Sequence, residues 1–67
     1  MSKAYKLIEV VGTSTKSYDD AVRNAVTEAK KSLTGVLWFD VIEFRGAVKD
    51  SEVEFQATVK IGFKLRD

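Results

Sequence analysis

Over residues 53–65 the chain alternates without a break: Val53, Phe55, Ala57, Val59, Ile61, Phe63 and Leu65 are separated by Glu54, Gln56, Thr58, Lys60, Gly62 and Lys64. Successive side chains of a strand point to opposite faces, so the pattern predicts a strand with one dry face and one wet face. The dry face needs a cover, and the sequence supplies one upstream. Tyr18, Ala21, Val22, Ala25, Val26, Ala29 and Leu33 recur at helical spacing, opposite Arg23, Asn24, Thr27, Glu28, Lys30 and Lys31. Ser17 is placed to cap this helix, with Asp19 and Asp20 in its first turn and Lys30 and Lys31 in its last. Gly35 can take a left-handed position after it. The three alanines of the stripe allow a sheet to approach closely.

Two more segments complete the plan. Residues 4–11 are rich in strand formers and are expected to stop at Gly12. Residues 36–48 form a second strand, joined to the last by a polar turn at Lys49, Asp50 and Ser51. A strand-helix-strand opening sets the first two strands in the same direction, so the third fits between them. The expected fold is α+β: a β-α-β-β domain over residues 1–67, with an antiparallel sheet of order 1-3-2 wrapped around one helix. The second strand is less regular. Phe39 and Val41 share one parity while Trp38, Ile42 and Phe44 share the other, which implies a bulge or cover on both faces.

Lengths then point to association. Each long strand can extend about 40 Å, whereas a helix of about 17 residues covers only about 25 Å. The hairpin overhangs its helix. A chain of 67 residues buries only about 60% of its unfolded surface, so its private core is marginal. Cysteine and histidine are both absent, which removes disulfides and the commonest zinc sites as remedies. With 45% apolar residues and seven aromatic rings, the remaining remedy is another copy of the chain.

The same absences bear on function. Without His or Cys, the most common general base and the thiol nucleophile are missing. Asp40, Glu43, Glu52 and Glu54 are spread among lysines as a charge-balanced surface, and Gly12-Thr13-Ser14 lacks the rest of a phosphate loop. Neither an enzyme nor a metal site is expected. A net charge of +1 with interleaved signs gives no footprint for nucleic acid or an anionic membrane. No apolar run approaches the roughly 18 residues of a membrane span, and the first residues are not a secretory signal, so a cytoplasmic location is expected.

Trp38, the only tryptophan, is the residue of interest. If the hairpin turns about Asp50, residues whose numbers sum to about 100 face each other. That sets Trp38 opposite Gly62 and Phe44 opposite Gln56 on the outer face, with a gap beside the indole and Arg45 and Gly46 ending the strand. Two readings stay open: subunit-interface packing, where tryptophan is enriched, or a site for a planar heterocycle built from indole, amide and guanidinium.

The motifs Val11-Gly12-Thr13-Ser14, Trp38-Phe39-Asp40-Val41, Arg45-Gly46, Phe55-Gln56 and Gly62-Phe63-Lys64-Leu65, taken in order, resemble the dodecins. The resemblance spans essentially the whole chain. It implies a homododecameric hollow shell for flavin storage and photoprotection, in which pairs of riboflavin, FMN or FAD rings stack between tryptophans. Carried over to this sequence, Trp38 is the stacking residue, Gln56 bonds the ring edge and Arg45 lines the pocket. Some relatives also bind coenzyme A, for which this chain has no diagnostic motif. Ile42 departs from the family in a slot that is often charged. The alternative is a structural or interaction module in which Trp38 only packs an interface.

Overall fold

In the computed structural model, which describes residues 4–65, strand β1 (Tyr5–Ser14) is followed by helix α1 (Tyr18–Ser32), strand β2 (Val36–Lys49) and strand β3 (Glu52–Lys64). The sheet order is β1-β3-β2 and both pairings are antiparallel. This is the expected β-α-β-β arrangement. The alternating segment became the central strand because it alone has neighbours on both edges.

Local chemistry sets the ends of α1. The Ser17 side chain accepts from Asp20 N at 3.0 Å, so it is the N-cap. Ser14 secures the approach: its Oγ donates to Asp20 Oδ2 at 2.7 Å and accepts from Lys16 N at 2.9 Å. At the other end Leu33 is the C-cap, its N–H bonded to the Ala29 carbonyl. Gly35 does have φ +74°, but it lies beyond the cap and turns the chain into β2. Its carbonyl accepts from Lys64 N at 3.0 Å, tying this turn to the end of β3.

The buried core is small: Ala21, Ala25 and Ala29 of α1 meet Ala57, Val59 and Ile61 of β3. Ile8, Val10, Val22, Val26, Leu33 and Val36 pack around it. The expected stop of β1 at Gly12 is corrected. The strand runs through Gly12 to Ser14, because this glycine marks close approach rather than an end. A Cβ there would strike the Ala21 carbonyl and lie 2.8 Å from Ala25 Cβ.

Strand β2 contains two irregularities, between Val36 and Trp38 and between Val41 and Glu43. Leu37 and Ile42 are the extra residues, each unopposed on β3. A bulge reverses the alternation, so the irregular pattern of β2 has a backbone cause. Phe39 and Val41 lie opposite Ile61 and Val59 and share the helix side of the sheet. Beyond Ile42, Phe44 rather than Glu43 takes that side, opposite Ala57.

The chain measures 54 × 20 × 14 Å. The 15 residues of α1 cover about 22 Å of that length. Helix α1 packs mainly over β1 and β3 and least against β2, so the hairpin does overhang its cover.

Candidate functional site

The wet face of the sheet carries all three expected site residues. Trp38 lies opposite Gly62 on β3, as the pairing rule predicts. Its indole lies flat on this glycine: a Cβ at Gly62 would penetrate the six-membered ring at Cε2, Cζ2 and Cδ2. The gap expected beside the indole is therefore filled by the indole itself. The ring crosses the central strand and meets Tyr5 of β1 edge-on, with centroids 5.3 Å apart and an interplanar angle of 78°. One indole face rests on the sheet while Trp38 as a whole remains 42% exposed.

The second part of the site lies at the other end of the face. Arg45 is the cross-strand partner of Gln56, and Thr13 of β1 flanks Gln56 on its other side. Gln56 Nε2 donates to Glu54 Oε1 at 2.9 Å, and Lys49 Nζ stands 3.7 Å from Glu54 Oε2. The pairing of Phe44 with Gln56 on the outer face is corrected. The turn is centred between Asp50 and Ser51, with Lys49 opposite Glu52, so Arg45 takes that place and Phe44 turns to the helix side. There Phe44 meets the Tyr18 ring, which also meets Phe55, at centroid separations of 5.0 and 4.9 Å. Arg45 also stands inside the strand rather than at its end, since β2 continues to Lys49.

Trp38 and Gln56 do not converge within one chain. Gly62, beneath the indole, is six residues from Gln56 along β3, or roughly 20 Å at the rise of a strand. Between the two parts, Asp40 lies opposite Lys60 and Glu43 opposite Thr58, a charge-balanced surface. Among the described residues no group of three or more carboxylates is disposed to hold a metal ion, and no helix is long and apolar enough to cross a membrane.

A groove of about 340 Å³ opens on the opposite side, between α1 and β2. It is lined by Val22, Val26 and Phe39 with Asp19, Arg23 and Lys30, and by none of the three expected residues. It arises because α1 leans away from β2 and leaves Phe39 half-exposed.

A family model described as Dodecin matches residues 4–66. The chain belongs to the dodecin family. It is 38% identical to a dodecin of Thermus thermophilus, over 100% of this chain and 99% of that one. A solved dodecin from Streptomyces coelicolor superposes with a TM-score of 0.90 at 44% identity, covering 97% of this chain and 94% of the other. A calcium dodecin of Mycobacterium tuberculosis is 32% identical over 92% of this chain and 89% of its own length. Its crystal structure, described as that of a calcium-chelating antigen, superposes with a TM-score of 0.85. The β-α-β-β fold is thus the dodecin fold.

Two dodecin-face residues escaped the sequence reasoning, Tyr5 beside Trp38 and Glu54 beside Gln56. A signal for both was present. Carrying the register onto β1 places Tyr5 opposite Lys64, on the outer face next to Gly62. Glu54 stands two positions before Gln56, hence on the same face of β3.

Proposed function

We propose that this dodecin is a cytoplasmic flavin-sequestering protein that works as a homo-oligomeric shell of twelve copies. It holds riboflavin, FMN or FAD rings against Trp38, with Gln56 at the ring edge and Arg45 beside the pocket. The single observation that carries the reading is an indole laid flat over Gly62 with its other side available on an exposed sheet face. Such a surface fits a planar ring. An aromatic side chain offers about 150–250 Å² for burial, and at about 25 cal/mol per Å² this contributes roughly 4–6 kcal/mol before association costs.

The separation of Trp38 from Gln56 supports a site composed between copies. Indole and amide from one chain cannot grip one ring across roughly 20 Å, whereas those of neighbouring chains can. A bound flavin supplies a visible chromophore, and an indole in contact with it can donate an electron to the excited ring and recover it, quenching emission. Sequestration with photoprotection follows, and no turnover is required.

Purified protein titrated with riboflavin or FMN is expected to retain the yellow colour and quench its emission. Trp38→Ala should abolish tight binding while leaving the assembly folded, as judged by sedimentation. Unchanged affinity in that variant removes the stacking role. A second reading, an interaction module without a ligand, is favoured by exposed Leu7 and Tyr5 beside Trp38, which extend an apolar strip suited to packing. It predicts the opposite outcome: Trp38→Ala dissociates the assembly, and the native protein leaves riboflavin emission unchanged.

A further inference from the structure

Gln56 has a neighbour on its own strand that decides which way its amide faces. Its Nε2 donates to Glu54 Oε1 at 2.9 Å. A carboxylate only accepts, so the amide must turn its NH₂ toward Glu54; the reverse orientation would set oxygen against oxygen. Glu54 is steadied in turn by Lys49, whose Nζ stands 3.7 Å from its second oxygen. One Nε2 hydrogen is thereby engaged. The amide oxygen and the second hydrogen remain for a ligand, in a fixed order. An acceptor beside a donor complements a ring edge that carries N–H next to C=O.

We infer that Glu54 is a positioning residue that locks the Gln56 amide and so makes this face selective for a planar heterocycle with an imide edge. The inference rests on the flavin reading above and adds a chemical filter to it. Stacking on Trp38 responds to the area and flatness of a ring. It discriminates poorly between two flat rings that differ only in a hydrogen on one edge nitrogen. The oriented amide makes that distinction, because an N-methyl group at the imide removes the donor and opposes the Gln56 oxygen.

Lumiflavin and its N3-methyl derivative, titrated by emission, isolate the effect. The native protein is expected to prefer lumiflavin by about tenfold, the scale of one lost hydrogen bond. Glu54→Gln frees the amide to rotate and should narrow that preference to about twofold, as should Gln56→Ala, with sedimentation unchanged. Without ligand, the two Gln56 amide protons should differ in NMR shift more widely in the native protein than in Glu54→Gln. A preference that survives Glu54→Gln overturns the role of Glu54 and leaves the flavin reading standing. Failure of both ligands to bind the native protein removes the flavin reading and, with it, this inference.

Discussion

Glycine at position 62 does something no other residue could do there. With no side chain, it lets the Trp38 ring lie against the backbone of the central strand, a place where even one methyl group would enter the ring. Gly62→Ala is therefore expected to lift the indole, at a cost of about 1–3 kcal/mol for overpacking, and to weaken flavin quenching. In a Trp38→Ala background the same change should be nearly neutral, since the group it displaces is gone. Equilibrium unfolding of the four proteins in this cycle measures the coupling, and equal costs in both backgrounds would show that Gly62 acts independently of the indole. The Trp38–Gly62 pairing was legible because two offsets cancel: the turn lies between Asp50 and Ser51, which raises the paired sum by one, and the Ile42 bulge lowers it again. The same count failed for Phe44, between the turn and Ile42, where the offset of the turn stands uncompensated. No side-chain pattern distinguishes Ile42 from its neighbours as the residue that will be extruded.

Among the elements, α1 was the most legible because capping, charge placement and periodicity agree. Its N-terminus is also the clearest place to test local stability. Ser17→Ala removes the acceptor for Asp20 N and should cost about 1 kcal/mol, read as a lowered urea midpoint with an unchanged slope. A cap that contributes nothing would leave the midpoint in place. Strand β1 was read too short for a physical reason. A glycine after a run of strand formers is equally consistent with a terminus and with a point of close contact, and only the position of Ala21 and Ala25 decides between them. The turn expected at Lys49, Asp50 and Ser51 is narrowed to Asp50 and Ser51, since Lys49 belongs to β2. Asp50 has φ +49°, a conformation that Asp tolerates better than most residues, and Lys49 faces Glu52 across the closing pair.

The whole chain has a core made largely of alanine and a surface rich in larger apolar groups. Leu37, Phe39, Ile42, Phe44 and Val48 of β2 are all exposed, as are Tyr5, Leu7 and Val11 of β1. This distribution suits a protein stabilised by its own copies. Its melting temperature is expected to rise with protein concentration, as mass action requires, and sedimentation should give a particle of many chains at micromolar concentration. A single-chain particle with a concentration-independent melting temperature would contradict this. The expectation of association drew on the mismatch between hairpin and helix lengths, and the overhang itself is present in the structure. The separation of Trp38 from Gln56 was implicit in the expected pairing of Trp38 with Gly62, since Gly62 lies six residues from Gln56 along β3.

The way Trp38 rests on its own sheet also limits what can be built upon it. A ring with both sides free could pass a ligand stack from one molecule to the next, like a coin in an open column. Here one side is already occupied by Gly62, so under the proposed function each tryptophan would terminate a pile instead of extending it. Flat guests would then be taken up in small closed sets with a protein wall at either end, and crowding them could not thread particles together into a chain.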